Sequence, residues 1–304
     1  MIILGIETSC DDSAVALVKD GYEVIGSSIS SQMHSLSGGV IPEKAARMHI
    51  EVLPILVNDI LTRFPNINVD KIAVTTNPGL IPSLLVGVSF AYGLARARKV
   101  EVVNINHLYA HVYANILEHP DIAFPHLSLL VSGGHTQIIK VDSPTNMSVI
   151  GTTLDDACGE AFDKVARMFE LGYPGGPIVS KLALLGNENA IDFPRPMKNS
   201  KNFNFSFSGL KTSVKRYIER TPNLKKEDVL ASFQYAACDI LITKTIRAAR
   251  EFSISTITLS GGVAANSRLR EELSRYSNEF TIYYPDLSLC GDNAVTVAGL
   301  AYHY

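Results

Sequence analysis

The 304-residue chain has only four cysteines, and they are widely separated. They form no Cys-x-x-Cys pair, which excludes a zinc ribbon and a dithiol redox site. They are Cys10, Cys158, Cys238 and Cys290. Isolated cysteines of this kind are typical of reduced thiols, so we expect a cytoplasmic protein.

Other absences exclude further classes of protein. Glycine and proline number 21 and 14, too few for a fibrous or low-complexity chain. The first ten residues have no basic flank and no small-residue cleavage site, so no export signal is predicted. No apolar run reaches the ~20 residues that span a bilayer, so we expect no membrane span. With 46% hydrophobic residues, the composition is that of a folded globular protein.

Three signatures of common enzymes are also missing. The chain has neither the P-loop pattern Gly-x-x-x-x-Gly-Lys-Ser/Thr nor the dinucleotide pattern Gly-x-Gly-x-x-Gly. A zinc protease of the His-Glu-x-x-His type needs an acid after His107, where this chain has Leu108. P-loop enzymes, dinucleotide-binding enzymes and such proteases are therefore disfavoured.

The formal charge of −3 by itself argues against a general nucleic-acid binder. It conceals a basic block, defined here as residues 195–226, whose nine basic residues and one acidic residue give a local charge of +8. The remainder of the chain therefore carries −11. The nine are Arg195, Lys198, Lys201, Lys211, Lys215, Arg216, Arg220, Lys225 and Lys226. The block is either a surface that contacts phosphate groups or a solvated helix face.

Hydrophobic periodicity predicts alternating strands and helices. Apolar runs at 2–6 and 13–18 flank a polar turn and predict two strands, and the same plan recurs at 127–141. Helices are predicted at 42–64, 84–97, 107–117, 160–171, 210–220, 226–251, 264–276 and 293–302, and further strands at 72–75, 101–105, 256–259 and 280–284.

The repeated strand-turn-strand plan predicts an α/β protein of two similar lobes that meet at a central cleft. We place the N-terminal lobe at 1–106 and the C-terminal lobe at 107–292, and expect the C-terminal helix within 293–304 to pack back on the first lobe. A single doubly wound domain with coincidental hairpins is the alternative.

His107 and His111 are four residues apart, which places both imidazoles on one face of a helix, where they can share a metal. Such a pair is also common as a structural coincidence, and a metal needs a third ligand. Asp292 is a candidate third ligand, although its position before the last predicted helix is also that of an N-cap.

Two further groups of residues are candidates for the site. Three Ser-Gly-Gly sequences occur, and the two that follow predicted strands, at Ser132 and Ser260, favour a nucleotide site because backbone N–H groups at such turns can hold phosphate. Each alone is more often a plain turn. Asp11 and Asp12 adjoin the first hairpin, and are either a solvated turn or a site for a proton or a metal-bound nucleotide.

The motifs taken together resemble one family. In chain order they are Gly5–Asp11, Asn106–His111, Leu130–Thr136, Gly159–Lys164, Tyr173–Pro177, Phe205–Lys211 and Gly261–Asn266. The chain is similar, from residue 2 to about residue 300, to the bacterial TsaD family of tRNA adenosine threonylcarbamoyltransferases, formerly called glycoproteases.

The resemblance implies the two-lobed fold of actin, sugar kinases and heat-shock ATPases. It also implies transfer of a threonylcarbamoyl group from threonylcarbamoyl-AMP to the exocyclic amine of the adenine 3′ to the anticodon (tRNA position 37), in tRNAs that read codons beginning with A. The expected partners are tRNA, the paralogous scaffold TsaB and the ATPase TsaE, with no membrane.

The resemblance also implies roles for individual residues. His107, His111 and Asp292 match the family's ligands to iron or zinc, and Asp11 and Asp12 match an acidic pair important for activity. The positions that match the adenylate site are Leu130, Val131, Ser132, Gly133, Gly134, Asp163, Gly176 and Asn266.

The chain departs from the family pattern at several positions. Asp12 replaces a usual Glu, Gly291 a usual Thr and Ser180 a frequent Asp. The loop at 76–80 differs as well, and the chain is expected to be short of the usual C-terminal tail. A kinase or ATPase of the same superfamily, and a non-catalytic scaffold like the family's paralogue, are the alternatives. A kinase would use carboxylate-held magnesium without histidine ligands, and the scaffold lacks the histidine pair.

Overall fold

A computed structural model of the chain describes residues 1–32 and 39–304. The first part contains β1 (Ile2–Glu7), β2 (Asp12–Lys19), β3 (Glu23–Ser31), α1 (Pro42–Arg63), β4 (Lys71–Asn77), α2 (Ile81–Arg98), β5 (Glu101–Asn106) and α3 (His107–Glu118). There follow β6 (His126–Val131), β7 (Thr136–Ser143), β8 (Asn146–Thr152), α4 (Cys158–Met168), α5 (Gly175–Ala183), α6 (Ser208–Arg220), α7 (Lys226–Glu251), β9 (Thr256–Ser260), a 3-10 turn (Gly262–Ala265), α8 (Ser267–Ser274) and β10 (Thr281–Tyr283). The chain ends with α9 (Leu287–Cys290) and α10 (Ala294–Ala301).

These elements divide into two compact units. Unit 1 comprises residues 1–122 and 286–304, and unit 2 comprises residues 123–285. The predicted boundary at 106/107 falls inside unit 1, because α3 packs on α10. Helix α10 also packs on β1, where the carbonyl of Ala294 lies so close to Gly5 that a Cβ at Gly5 would collide with it.

The two units have the same sheet topology. The sheet of unit 1 has the order β3-β2-β1-β4-β5, and that of unit 2 has the equivalent order β8-β7-β6-β9-β10. In each sheet the first three strands are antiparallel and the last two pair in parallel. This equivalence confirms the prediction of two similar α/β lobes.

One face of the sheet in unit 1 is buried by α1 and α2. The cluster includes Leu4 and Val15 from the sheet, Leu53 and Ile60 from α1, and Ala91 from α2, and all five are fully buried. Burying such side chains is worth about 1.5–3 kcal/mol each for the larger ones, which makes this face a principal source of stability.

The third strands, β3 and β8, were not predicted. Both are edge strands with half-exposed, Ser- or Gly-containing sequences, so their apolar alternation is weak. The predicted helix at 264–276 is instead a 3-10 turn followed by α8, since the side chain of Asn266 accepts a hydrogen bond from the N–H of Leu269 and starts α8 there.

Among the described residues, α7 is the one helix long and apolar enough to cross a membrane by length and composition. Of its most apolar 18-residue window, 83% is buried inside the protein. A buried core helix passes the same test, so this finding is weak evidence for a span.

Candidate metal centre and cavity

Three side chains in unit 1 converge at the start of α3. His107 is the first residue of α3, His111 lies one turn later, and Asp292 lies between α9 and α10. The Oδ1 atom of Asp292 is 3.2 Å from Nε2 of His111 and 3.7 Å from Nε2 of His107. One donor atom from each residue lies within 4.8 Å of the others.

The buried carboxylate of Glu7 orients His107 through Nδ1, the ring nitrogen that does not face Asp292. Oε2 of Glu7, at the end of β1, is 3.1 Å from Nδ1 of His107 and accepts a hydrogen bond from the hydroxyl of Thr75. The other oxygen, Oε1, accepts from the N–H of Ser9. With Nδ1 turned to Glu7, Nε2 of His107 is directed to Asp292.

The charges of this cluster are strongly coupled. Burial lowers the pKa of His107, but the carboxylates of Glu7 and Asp292 outweigh it and raise that pKa to about 9. For Glu7, burial acts to raise the pKa, but the charge of His107 and its hydrogen bond reverse the effect, so the pKa is lowered. The carboxylate of Glu7 is therefore ionised although it is buried.

The donor set fits a divalent metal. Nε2 of His111 is buried and makes no hydrogen bond, although it lies 3.2 Å from Oδ1 of Asp292, and such a buried polar atom is costly unless another group binds it. Two imidazoles and one carboxylate suit zinc or ferrous iron, and donor atoms of a tetrahedral zinc lie about 3.3 Å apart when each bond is about 2.0–2.1 Å. The separations at Asp292 are close to that value.

The N-cap alternative for Asp292 is wrong. The cap of α10 is Asn293, whose side-chain oxygen accepts from the N–H of Thr296, and the cap of α9 is Asp286. The carboxylate of Asp292 is thus available to face the two histidines.

The acidic pair lies at the β1-β2 turn of the same unit. Asp11 and Asp12 are both half-buried. Burial, with smaller contributions from Asp292 and Asp11 and against a hydrogen bond from Ser31, raises the pKa of Asp12 to about 6. The charge of Asp292 therefore acts on Asp12.

The turn that carries the acidic pair is held by α1 and α2. The buried side chain of His49 pairs through Nδ1 with the hydroxyl of Ser13 at 2.7 Å and through Nε2 with the carbonyl of Cys10 at 3.0 Å. The hydroxyl of Ser83 donates to the same carbonyl at 3.3 Å. Neither Glu7 nor His49 is predicted as a site residue from the sequence, because no local pattern distinguishes them.

Unit 2 contains a separate cavity of about 550 Å³. Four predicted positions line it, namely Gly133, Asp163, Gly176 and Asn266. It is also lined by Gly159, Phe162, Tyr173, Pro174, Pro177, Ser180, Lys181, Leu184, Gly262, Val263, Ala265 and Ser267. A Cβ built on Gly133 or Gly262 would meet no atom within 4 Å, so the cavity is open at both glycines.

The other four predicted positions do not line the cavity. Leu130 and Val131 are buried in β6, and Ser132 closes the β6-β7 turn by accepting from the N–H of His135. Gly134 lies in the same turn. These residues form the end of β6 and the turn that places Gly133 at the cavity.

Asp163 and Asn266 also have structural partners. Oδ1 of Asp163 accepts from the N–H of Gly175 at 2.8 Å and of Gly176 at 3.3 Å, so it holds the start of α5. Burial raises the pKa of Asp163, and these two hydrogen bonds oppose the shift. The amide nitrogen of Asn266 donates to Gln234 at 2.9 Å.

Comparison with known proteins gives the family. A family model described as TsaD, tRNA N6-adenosine threonylcarbamoyltransferase, matches residues 23–299. The chain belongs to this family. It is 50% identical to the tRNA N6-adenosine threonylcarbamoyltransferase of Fervidobacterium nodosum, over 98% of this chain and 91% of that protein. The enzyme of the same name from Thermotoga neapolitana is 48% identical, over 99% and 94%.

The chain is therefore an enzyme of the transferase class, and the family resemblance of its motifs is confirmed. Among solved structures, HypF of T. kodakarensis matches with a TM-score of 0.70 at 16% identity, over 99% of this chain and 47% of that one. Component A of the (R)-2-hydroxyglutaryl-CoA dehydratase of Acidaminococcus fermentans matches with a TM-score of 0.59 at 16% identity, over 100% and 98%. At such identities these likenesses show the fold alone, that of the actin, sugar-kinase and heat-shock-ATPase type.

Proposed function

We propose that this chain transfers the threonylcarbamoyl group from threonylcarbamoyl-AMP to the exocyclic amine of the adenine 3′ to the anticodon, in tRNAs that read codons beginning with A. The observation that carries the proposal is the His107, His111 and Asp292 cluster, in which the buried Nε2 of His111 faces Asp292 without a hydrogen bond, in a chain about half identical to enzymes of that name.

In this proposal His107, His111 and Asp292 hold one ferrous iron or zinc ion. When bound, such a metal acts as a Lewis acid that polarises and orients the acyl donor. Glu7 keeps Nδ1 of His107 protonated and Nε2 directed to the metal position, since a histidine ligand is commonly oriented by a carboxylate at its other nitrogen.

The cavity of unit 2 is the proposed adenylate site. Its volume of about 550 Å³ is in the usual range for a bound nucleotide or other small ligand. The open space at Gly133 and Gly262 lets a phosphate approach the backbone, where N–H groups can bind it. Asp163 and Asn266 border the same space and can position the nucleoside.

The reaction needs an acceptor for one proton. The amine nitrogen forms a bond to the carbonyl carbon, the bond from that carbon to the phosphate oxygen breaks, and AMP leaves. We assign the amine proton to the acidic pair, because the pKa of Asp12, raised mainly by burial to about 6, keeps its carboxylate ionised yet basic near neutral pH. Asp11, beside it, is the second candidate acceptor.

We further propose that the chain acts in the cytoplasm with tRNA, TsaB and TsaE. Four free cysteines are compatible with a reducing compartment. The family resemblance supports the two protein partners.

The test combines the chain, TsaB, TsaE, ATP, synthetic threonylcarbamoyl-AMP and unmodified tRNA, and measures modified adenosine by mass spectrometry. We expect product with the wild-type chain, and neither product nor bound metal with His111→Ala. The control is His119→Ala, which replaces a histidine that follows the same helix. Full transfer by metal-free His111→Ala would overturn the metal assignment, and steady ATP hydrolysis by the chain alone without any tRNA product would favour a kinase.

A further inference from the structure

The cations of the basic block fall into two groups according to their partners. Arg195 and Lys198 both bind Asp239, with Nζ of Lys198 at 2.6 Å from Oδ2 and Nε of Arg195 at 3.3 Å. Lys211 forms a salt bridge of 2.5 Å with Asp156. Lys215 pairs with exposed Glu219, and Lys225 pairs with half-buried Asp228. These five cations are neutralised locally.

The remaining four have no carboxylate partner within the part of the chain that the structure describes. They are Lys201, Arg216, Arg220 and Lys226. Arg216 and Arg220 are exposed and lie four residues apart on α6, so they share one face of the helix. Leu210 and Val214 are buried on another face, which attaches α6 to unit 2.

Beside the arginine face runs an open groove of about 490 Å³, called here the α6 groove. It is lined by Pro194, Ser208, Gly209, Thr212, Ser213 and Arg216. Along the helix, the lining consists of three hydroxyl side chains, those of Ser208, Thr212 and Ser213, followed by the guanidinium of Arg216.

The segment at 194–196 contributes Pro194 to the groove and approaches α6 at Gly209. Arg195 lies between the groove residue Pro194 and Pro196, and its ion pair with Asp239 ties this segment to α7. Gly209 lies directly against it, since a Cβ there would be 3.1 Å from Cγ of Pro196. The two groups of cations thus differ: Arg195 and Lys198 pair with Asp239 of α7, and Arg216 is exposed in the groove.

We propose that the α6 groove binds the sugar-phosphate backbone of the tRNA substrate, with Arg216 and Arg220 as the phosphate contacts. The proposal rests on the proposed function, which supplies the polyanion. A guanidinium binds a phosphate with two parallel hydrogen bonds, and serine hydroxyls are frequent additional partners of the backbone. The hydroxyl of Thr212 already donates to the carbonyl of Ser208, so Ser213 and the arginines are the donors.

The helix N-terminus itself is not the phosphate site. Oδ1 of Asp155 accepts from the N–H groups of Phe207 at 2.8 Å and Ser208 at 3.3 Å, and Oδ2 accepts from the hydroxyl of Ser206. This carboxylate occupies the N–H groups of Phe207 and Ser208 at the start of α6 and repels an anion there. The backbone phosphates are therefore bound further along α6, toward Arg216.

The experiment measures tRNA binding to the full chain by fluorescence anisotropy across a salt series. The test variant is Arg216→Gln/Arg220→Gln. The matched control is Lys215→Gln/Lys225→Gln, which also removes two positive charges from the block, but at residues with carboxylate partners. Thermal unfolding and AMP binding are measured for both, to show that each variant is folded and that the cavity of unit 2 is intact.

We expect the arginine variant to bind tRNA about 10-fold more weakly at 0.1 M salt, with a slope of log K against log salt reduced by about 1 to 2. The control retains wild-type affinity and slope. An equal loss of tRNA affinity in both variants would mean that only net charge matters. Wild-type tRNA affinity in both variants would mean that tRNA binds elsewhere. Either result overturns the proposal that the α6 groove binds tRNA. A wild-type chain without measurable tRNA affinity also overturns it. The transfer assay is independent of these outcomes, because product formation by the wild-type chain sustains the proposed function even when the groove fails.

Discussion

The carboxylate of Glu7 and the imidazole of His107, one hundred residues apart in sequence, form a buried pair with 3.1 Å between Oε2 and Nδ1. The pair joins the end of β1 to the first turn of α3. Because Glu7 fixes one nitrogen of the ring, the other is directed to Asp292 and His111. The orientation of the candidate metal ligands thus depends on a residue that is not itself a ligand.

Replacing Glu7 with Gln tests this dependence. The amide keeps the size of the side chain but loses its charge, so the preference for a proton on Nδ1 of His107 weakens. We expect metal affinity to fall about 10- to 100-fold, as measured by competition with a chromophoric chelator. Glu23→Gln on exposed β3 is the control and keeps wild-type affinity. Unchanged affinity in a folded Glu7→Gln chain would contradict the orienting role.

His49 offers a test of the turn that carries the acidic pair. His49→Leu removes both hydrogen bonds, to the hydroxyl of Ser13 and the carbonyl of Cys10, each worth about 1–3 kcal/mol when a buried partner is left unpaired. We expect slower transfer with unchanged metal content, measured by mass spectrometry of modified tRNA and by metal analysis. His49→Gln keeps a donor and recovers part of the rate. A Leu variant with wild-type transfer would show that the turn does not need His49.

The open space at Gly262 allows the cavity to be filled without strain. Since a Cβ there meets no atom within 4 Å, Gly262→Val places its methyl groups in the cavity. We expect AMP affinity to fall at least about 10-fold, measured calorimetrically, while the melting temperature stays within about 2 °C of wild type. Gly93→Val is the control, because its site is equally open but lies in α2 of unit 1. Wild-type AMP affinity in Gly262→Val would place the nucleotide elsewhere.

His126 makes the stability of the fold depend on pH. Burial lowers the pKa of His126 to about 4, although a hydrogen bond with the carbonyl of Ala123 opposes the shift, and Nε2 has no partner. In the unfolded chain the pKa is about 6.5, so the unfolded state takes up the proton first and stability is lost as pH falls from about 6.5 to 4. We expect the titration of His126 to lower the free energy of unfolding by about 2 kcal/mol between pH 7 and pH 5.

Urea unfolding at the two pH values measures this cost. The control is His126→Asn, which keeps a donor for Ala123 but does not titrate. The difference in pH dependence between the two proteins isolates His126 from His49 and His303, whose pKa values burial also lowers. Identical pH dependence in both chains would show that His126 contributes nothing.

Much of the fold was predictable because its signals are local. Apolar periods identify β1, β2 and their counterparts β6 and β7, and the spacing of His107 and His111 alone places them on one helical face. The edge strands β3 and β8 were missed, since a half-exposed strand has little apolar alternation to detect.

The sequence by itself thus determined the central strands and the long helices, the two similar halves, the histidine pair and, through its motifs, the family. Only the tertiary structure decided that Glu7 supports His107, that Asn293 rather than Asp292 caps α10, and that Arg195 is neutralised while Arg216 is not. The physical reason is that periodicity and helix propensity act within a few residues. The charge state and the direction of a side chain depend instead on partners that the fold brings from distant parts of the chain.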